Sequence, residues 1–282
     1  MQLTEYLKLL RLHQPTGIFL LLWPCLWGVA LANDISNINL IFLMTVGSIT
    51  MRSAGCIIND IIDIEIDKKV ERTKNRPLAK GTVTIKKAAL LLVLLLSIAL
   101  IIFTYLNMLA KIIALISLIL VISYPFMKRI TYWPQLFLGF TFNIGVLIGY
   151  GQASANIDLA AILLYIAGVF WTLGYDTIYG YQDIKDDLII GVKSSAIAMR
   201  KHPKFILSLI YGLMMICILI SLHLKNTSNL AYVSSIFPGV ILLWQALTLQ
   251  INSVNNCLER FRSNIYVGFM IFGTICISSV YG

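Results

Sequence analysis

The sequence predicts an all-α fold, a polytopic integral membrane bundle of about nine transmembrane helices. Of the 282 residues, 59% are hydrophobic and 12% are charged, whereas soluble domains carry about 25% charged residues. Mostly apolar runs recur along the chain at roughly 17–25 residues, the length needed to cross a hydrocarbon layer about 30 Å thick. None of these runs alternates as a strand would, and helices satisfy their own backbone polar groups within lipid.

The apolar runs predict the spans in order along the chain. The third and fourth spans are separated only by a short tip at 107–111, so they form a tight hairpin. Boundaries drawn from such patterns are placed to within about 2–4 residues. The predicted spans are 16–33, 39–58, 88–107, 110–127, 134–151, 158–178, 205–223, 230–250 and 264–281.

Lysine and arginine are distributed unevenly between the loops, and this predicts the orientation of the bundle. With the N-terminus in the cytoplasm, the outside loops keep only Lys111 and Lys225, and the inside loops carry nearly all other basic residues. Positive residues favour the cytoplasmic side, so we expect a cytoplasmic N-terminus and, after nine spans, an outside C-terminus. The same bias accounts for the net charge of +9, which argues against nucleic-acid binding.

The cysteines, the histidines and the N-terminal segment point to no further function. The five Cys and three His show no CxxC pair and no metal-ligand spacing, so we expect structural or solvated roles for them. We also expect no cleaved signal peptide, because Pro24 interrupts the first apolar run and a small-residue cleavage site is lacking.

Acidic residues are concentrated in two short segments. Five of the 13 Asp and Glu lie within 60–71 and four lie within 176–187, which leaves four for the rest of the chain. The first segment follows the second span and the other ends the sixth. Four spans lie between them, so both segments are expected on the same side of the membrane, the cytoplasmic side.

The spacing within each segment is helical. Asp60, Asp63 and Asp67 stand at i, i+3 and i+7, and Asp176, Tyr179, Asp183 and Asp187 stand at i, i+3, i+7 and i+11. Each set therefore shares one helix face. Like charges at this spacing destabilise a helix by about 0.2–0.5 kcal/mol per pair, so they predict a bound cation, and Mg²⁺ prefers carboxylate oxygens. The alternative is that these acids only solvate the helix ends. For Glu65, Glu71 and Asp186 this alternative explains the sequence as well as a functional role does.

Basic and aromatic residues beside the acids suggest a phosphate group as the further ligand. Arg72 and Arg76 follow Asp67 closely, and guanidinium groups suit phosphate oxygens. Tyr124 and Lys128 form a second candidate pair at i, i+4, which could equally be an interfacial aromatic and a snorkelling lysine. Arg11 precedes the first span and is a weaker candidate.

Arg52 differs from the other basic residues because it lies inside a predicted span. An ionisable residue at this depth is by default a functional candidate. It stands seven residues before Asn59, on the same helix face. It could bind the acidic group of a second substrate, which we favour, or it could neutralise Asp63.

Together these residues resemble the UbiA-type intramembrane prenyltransferases, most closely the branch that uses 4-hydroxybenzoate. The resemblance rests on six motifs that run from Arg11 to Ser194. They are RLxxPxGxxLLxxPxxWG from Arg11 to Gly28; NDxxDxxxD at Asn59, Asp60, Asp63 and Asp67; RTxxRP from Arg72 to Pro77; YxxxK at Tyr124 and Lys128; and DTxYxxxDxxDD from Asp176 to Asp187, followed by GxKS at 191–194.

The resemblance implies one membrane-embedded domain over residues 1–282, with helices around a central cavity and active-site loops at about 59–87 and 179–204. It implies transfer of a polyprenyl group from polyprenyl diphosphate to 4-hydroxybenzoate in ubiquinone synthesis, in a bacterial inner membrane or a mitochondrial inner membrane. Asn59 and the aspartates at 60, 63, 67, 183 and 187 would hold Mg²⁺ and diphosphate. Arg72, Tyr124 and Lys128 would contact the diphosphate, Arg52 would take the carboxylate of the acceptor, and Arg11, Arg76, Asp176 and Tyr179 would support substrate binding.

Three other functions remain open at this point. A prenyltransferase with a haem, naphthoate or chlorophyll-type acceptor shares the core motifs. A transporter could also use intramembrane acids, although transporter sites lie near the midplane. A phosphatidyl-alcohol transferase is disfavoured, because its D-x-x-D-G pattern has glycine directly after the second aspartate. Here Asp63 is followed by Ile64 and Glu65.

Overall fold

A computed structural model describes residues 2–281, with side chains described for residues 3–278. Over this range the chain forms helices and no strand. The helices are α1 (Gln2–Leu9), α2 (Thr16–Leu31), α3 (Ile38–Ile62), α4 (Ile64–Asp67), α5 (Ile85–Thr104), α6 (Met108–Ile130), α7 (Pro134–Ser154), α8 (Leu159–Gly180), α9 (Ile184–Ile190), α10 (Ser195–Met199), α11 (Pro203–Leu224), α12 (Asn229–Ser234), α13 (Ile236–Leu247) and α14 (Val254–Tyr281).

The predicted membrane bundle is confirmed. Within the described chain, eight segments are long and apolar enough to cross a bilayer: α3, α5 to α8, α11, α12 with α13, and α14. The shorter apolar helix α2, with 16 residues, occupies the position of the first predicted span. Together they agree with a prediction of about nine spans.

The last span begins earlier than the charge pattern predicts. Arg260 was expected in a loop, yet α14 begins at Val254 and carries it within its first turns. The guanidinium of Arg260 lies 4.7 Å from the centre of the Trp244 ring, and its Nη2 donates to Thr248 Oγ1 at 2.7 Å. These contacts hold the guanidinium against α13 and its C-terminal end, and the helix begins ten residues before the predicted start.

Close packing of α2 against α7 depends on glycine. A Cβ at Gly28 would lie 2.1 Å from the carbonyl oxygen of Val146, and one at Gly149 would lie 2.2 Å from that of Cys25. Small residues let helix backbones approach in this way. On the other side of α2, Trp27 lies 5.0 Å from Trp171 between ring centres and donates to Gly268 O at 2.9 Å.

The helices α5 and α6 form the thin side of the bundle. Only 11% and 17% of their apolar windows are buried by protein, so most of their side chains face lipid. Asn107 joins them: its side chain accepts from Ala110 N at 2.9 Å and donates to Gly151 O at 2.8 Å. This cap ties the tip of the hairpin to α7.

Candidate active site

A cavity of about 1220 Å³ runs through the interior of the bundle. One end, which we call the acidic end, lies where α3 and α8 finish and is lined by aspartates, arginines and Lys128. Aliphatic side chains of α3, α5, α6 and α7 line the rest, among them Leu43, Ile102, Leu118 and Ile148. The cavity therefore joins a charged region to an apolar one.

The first acidic segment is not one continuous helix, although the spacing of its aspartates is helical. The helix α3 ends at Ile62, Asp63 takes φ −100° and ψ 8°, and α4 begins at Ile64. Hydrogen bonds from Asp63 N to Asn59 O (2.9 Å) and from Asp67 N to Asp63 O (2.8 Å) bridge the break. Asp60, Asp63 and Asp67 all line the cavity and are at most 4% exposed.

The second acidic segment is interrupted in a similar way. The helix α8 ends at Gly180, a turn follows, and α9 begins at Ile184, yet Asp176, Tyr179, Asp183 and Asp187 all line the cavity. A bond from Asp187 N to Asp183 O at 2.8 Å keeps these two residues in register. Burial, together with the neighbouring Asp183 carboxylate, raises the pKa of Asp187 to about 7.

Arginines of the first loop connect the acidic groups. Arg72 donates to Asp183 at 2.8 Å and to the Tyr179 hydroxyl at 2.8 Å, and its guanidinium lies 4.8 Å from the centre of the Tyr179 ring. Arg76 donates to Asp67 at 2.8 Å and to Asp60 at 3.2 Å. The two segments therefore meet at one end of the bundle, as the topology predicted.

Arg11 belongs to the same cluster, although the sequence made it a weaker candidate. Its Nη2 lies 2.8 Å from both carboxylate oxygens of Asp60, and Nη1 donates to Lys8 O at 2.8 Å. Its backbone has φ +59°, in the left-handed region. A non-glycine residue held there costs about 1–3 kcal/mol, so the contacts with Asp60 and Lys8 O stabilise a strained turn.

Lys128 pairs with Asp63 from the far side of the cavity. The other oxygen of Asp63 lies 3.9 Å from Arg129 and makes no hydrogen bond. Tyr124 lines the cavity one turn deeper on α6. The predicted i, i+4 pair therefore faces the acidic end.

Arg52 lies in the cavity wall and pairs with no acid in the described part of the chain. Its guanidinium is 5.4 Å from the centre of the Phe142 ring, and its Nε is buried without a hydrogen bond. A Cβ at Gly17 would lie 2.5 Å from that Nε, so glycine there leaves room for the side chain. Since Asp63 pairs with Lys128, the alternative that Arg52 neutralises Asp63 is wrong.

Residues 21–272 match the family model described as "UbiA prenyltransferase family". The chain belongs to the UbiA prenyltransferase family. Relatives named "4-hydroxybenzoate polyprenyltransferase, mitochondrial" include one from Rattus norvegicus, 41% identical over 99% of this chain and 76% of its own length. Another, from Caenorhabditis elegans, is 40% identical over 99% of this chain and 79% of its own.

Solved structures share the UbiA fold at low sequence identity. A UbiA homolog from Aeropyrum pernix K1 is 24% identical, with a TM-score of 0.75 over 92% of this chain and 97% of that one. A UbiA homolog from Archaeoglobus fulgidus bound to GPP and Mg²⁺ is 17% identical, with a TM-score of 0.66 over 95% of this chain and 99% of that one. The fold is therefore that of the UbiA family.

Gln135 and Phe261 of the site in this UbiA-family protein were not predicted from the sequence, and Lys193, predicted only as part of the GxKS motif, has a structural role that the motif does not reveal. Gln135 accepts from Ser195 N at 2.8 Å and so fixes the second loop to α7. Lys193 donates from its backbone to Lys128 O and from its ammonium to Ile130 O, both at 3.0 Å, which caps the end of α6. Phe261 lines the cavity, 4.3 Å from the centre of the Tyr179 ring. The position of Gln135 directly after Trp-Pro, at a helix start, was the one available signal.

Among the acids of the two acidic segments, Glu65 and Glu71 pair with exposed lysines and not with the arginines of the site. Each forms an exposed i, i+3 ion pair, with Lys68 and Lys74 respectively, and each carboxylate is 79% exposed. They solvate the loop. Asp186 instead accepts from Glu71 N at 3.0 Å and joins the two loops.

The carboxylates suit Mg²⁺ by their chemistry. In the described residues no three Asp, Glu, His or Cys side chains gather as a ready-made metal site, because arginine and lysine side chains hold the carboxylates in pairs. Mg²⁺ is commonly bound by one or two carboxylates with waters and substrate phosphates, so such a gathering is not required. Asp63, with one buried oxygen that makes no hydrogen bond, offers the best available ligand atom.

Proposed function

We propose that this protein transfers a polyprenyl group from polyprenyl diphosphate to the ring of 4-hydroxybenzoate, in ubiquinone synthesis. The C–O bond to diphosphate breaks with its electron pair on the leaving group, and an allylic cation results. The ring carbon ortho to the hydroxyl attacks it, and the ring proton is then lost to restore aromaticity. The names of the relatives at about 40% identity support this acceptor.

One observation carries the proposal: a cavity whose acidic end holds paired aspartates and arginines also contains an unpaired arginine and an apolar chamber. A diphosphate, a carboxylate and an isoprenoid tail are the three groups for which these regions are suited. Polar groups aimed into a mostly apolar cavity are typical of a ligand site.

The donor diphosphate would enter at the acidic end by an exchange of partners. Arg11, Arg72, Arg76 and Lys128 now neutralise aspartates. The carboxylates would then hold Mg²⁺ and these basic groups would hold the diphosphate oxygens, so no buried charge would be left without a partner. Bound Mg²⁺ supplies neutralisation of the phosphate charge.

The roles in this exchange follow the motifs. Tyr124 would join the four basic residues on the diphosphate oxygens, and Asp176 and Tyr179 would support substrate binding. The metal ligands in the proposal are Asn59, Asp60, Asp63, Asp67, Asp183 and Asp187.

The acceptor would place its carboxylate on Arg52. Seven residues of helix separate Arg52 from Asn59, about 10 Å along the axis at 1.5 Å per residue. The ring would then lie between the guanidinium and the diphosphate, with its reactive carbon turned toward the donor. A dry cavity also protects the allylic cation from water.

The location in the cell is part of the proposal. Residues 1–282 would form one domain in a bacterial inner membrane, or in a mitochondrial inner membrane if the source is eukaryotic, as the relatives' names suggest. The distribution of Lys and Arg supports a cytoplasmic N-terminus and acidic end, with the C-terminus outside.

The test is a reaction with purified protein in lipid nanodiscs, Mg²⁺, geranyl diphosphate and 4-hydroxybenzoate. Prenylated acid and diphosphate should form in equal amounts, and EDTA should stop both. Product with haem or a dihydroxynaphthoate, but none with 4-hydroxybenzoate, would contradict the acceptor assignment and favour another branch. Movement of substrate across a vesicle membrane without bond formation would favour the transporter alternative.

A further inference from the structure

We propose that Asp176 is the base that takes the hydroxyl proton of the acceptor as the new carbon–carbon bond forms. This inference rests on the proposed function and names the residue that moves the proton in it. Two features of Asp176 lead to it: the carboxylate has no basic partner, and it lies on the donor side of Arg52.

Asp176 differs in its contacts from the other aspartates of the cavity. Four of those form an ion pair with an arginine or a lysine: Asp60, Asp63, Asp67 and Asp183. In the part of the chain that the structure describes, the Asp176 carboxylate accepts no hydrogen bond and forms no ion pair. The residue lines the cavity and is partly exposed, so its oxygens are free for a ligand.

The depth of Asp176 in the bundle argues against a merely solvating role. It stands within the spanning helix α8, where an acid is expensive and is by default a functional candidate. The charge of Arg52 acts on it, yet the two side chains form no ion pair. They are therefore separated opposite charges that face one cavity. A molecule that presents an anion to Arg52 and a proton donor to Asp176 can lie between them.

The acceptor carries these two groups at opposite ends of its ring. In 4-hydroxybenzoate the hydroxyl oxygen lies about 6 Å from the carboxylate carbon, for bonds of about 1.4–1.5 Å. Arg52 stands ten residues before the end of α3, and Asp176 stands four before the end of α8, an offset of about 9 Å at 1.5 Å per residue. Since both helices finish at the acidic end, an acceptor held by Arg52 turns its hydroxyl toward Asp176 and the donor.

The proton has a closed path in this arrangement. As the ring carbon bonds to the allylic carbon, the hydroxyl proton passes to a carboxylate oxygen of Asp176, and the O–H electron pair forms a C=O bond. The product of this step is a neutral dienone, whereas without a base the ring would carry the positive charge.

Restoring the aromatic ring returns Asp176 to its starting charge. The hydrogen on the newly bonded ring carbon leaves as a proton to a diphosphate oxygen, and its electron pair re-forms the ring. The carbonyl oxygen takes the other proton back from Asp176. One proton therefore leaves with the diphosphate.

Other charged and titratable groups act on Asp176 from several parts of the fold. They are Arg52 of α3, Tyr124 of α6, Tyr175 of α8 itself, Arg72 of the first loop and Asp183 of the turn after α8. All of them remain when position 176 is changed. The ratio of variant to wild-type rates at each pH therefore isolates the effect of Asp176.

The test uses Asp176→Asn in nanodiscs with Mg²⁺, geranyl diphosphate and 4-hydroxybenzoate. The kcat at neutral pH should fall by about a hundredfold or more, the usual scale for a general base. The KM for the prenyl diphosphate should stay within about twofold, because the ion pairs at the acidic end are untouched. Asp34→Asn is the matched control, since Asp34 precedes α3, accepts from Asn37 and does not line the cavity.

A pH series separates a base from other roles. The loss in Asp176→Asn should shrink as the pH rises, because an acceptor whose hydroxyl has ionised in solution needs no base. With 3-fluoro-4-hydroxybenzoate, a more acidic phenol that keeps one free ortho carbon, this recovery should begin at lower pH. Asp176→Glu keeps a carboxylate and should retain at least about a tenth of the wild-type kcat at neutral pH.

A near-normal kcat in Asp176→Asn would overturn the inference. A loss that is equal at every pH, or that comes with a raised KM for the donor, would also overturn it and would assign the residue to the structure or to the metal site. Asp176→Glu decides if Asp176→Asn has a lowered thermal stability: an inactive glutamate variant of normal stability would refute the base. If the wild-type protein forms no prenylated 4-hydroxybenzoate, the proposed function fails, whatever the variants do.

Discussion

Arg72 and Asp183, 111 positions apart in the chain, are joined by hydrogen bonds of 2.8 Å from Nε and 2.5 Å from Nη2. The pair closes the two acidic segments into one site at the end of the bundle. It is only partly exposed, 32% for the arginine side chain and 15% for the aspartate. A substrate that carries both anionic oxygens and a metal cation can supply an anion to Arg72 in place of Asp183 and a cation to Asp183 in place of Arg72.

Replacing Arg72 with glutamine should raise the KM for the prenyl diphosphate by about tenfold or more. A hydrogen bond to a charged group contributes about 1.5–3 kcal/mol, and tenfold in affinity corresponds to about 1.4 kcal/mol. The KM for 4-hydroxybenzoate should stay within twofold. Lys74→Gln is the control, since Lys74 forms its ion pair with the exposed Glu71. Steady-state kinetics with each substrate varied in turn measures the effect.

Asp63→Ala and Asp183→Ala should each lower turnover by at least about a hundredfold, the usual scale for loss of one preorganised electrostatic group. Membrane insertion should be normal. Glu65→Ala should leave turnover unchanged, because its carboxylate is 79% exposed and pairs with Lys68. Near-normal rates in either aspartate variant would remove these residues from the metal site.

Arg52→Gln should raise the KM for 4-hydroxybenzoate by about tenfold or more, and leave the KM for the prenyl diphosphate unchanged. The physical reason is that the guanidinium of Arg52 lies in the cavity wall with an N–H that makes no hydrogen bond. It can therefore donate a charge-assisted hydrogen bond to a carboxylate. As a second readout, the variant should prefer 4-hydroxybenzoate over phenol, which lacks the carboxylate, less strongly than the wild-type protein does. An unchanged preference would contradict the role.

Lys193→Met should lower kcat several-fold through Lys128. The ammonium of Lys193 donates to Ile130 O at 3.0 Å at the C-terminal end of α6, and a typical hydrogen bond contributes about 0.5–1.5 kcal/mol. Hydrogen exchange at residues 128–132 should become faster. Lys193→Arg should restore most of the rate, and the exposed Lys201 in the same loop provides a Lys201→Met control.

Gly28→Ala should destabilise the bundle by about 1–3 kcal/mol, as overpacking of an interior does. The added Cβ would lie 2.1 Å from Val146 O, an atom of backbone that cannot turn aside. Gly273→Ala, where a Cβ meets nothing within 4 Å, should be neutral. The thermal stability of the two variants is compared in one detergent, with aggregation on heating as the measured signal.

The spans were predictable because lipid imposes a length on every helix that crosses it. The second, third and fifth spans were found to within a few residues for this reason. The start of the last span was missed because Arg260 is charged, and charge near an apolar run signals a loop. Its contacts with Trp244 and Thr248 come from another part of the chain.

The sequence by itself determined that this protein is a helical membrane bundle with its acids on one side, because hydropathy, charge bias and helical spacing are local properties. Only the tertiary structure decided which cation meets which acid: Arg11 with Asp60, Lys128 with Asp63 and Arg72 with Asp183. It also decided that Arg52 stays unpaired and that both acidic helices break beside their aspartates. These outcomes depend on how helices distant in the chain pack together, and ion-pair energy falls with a separation in space that residue spacing does not contain.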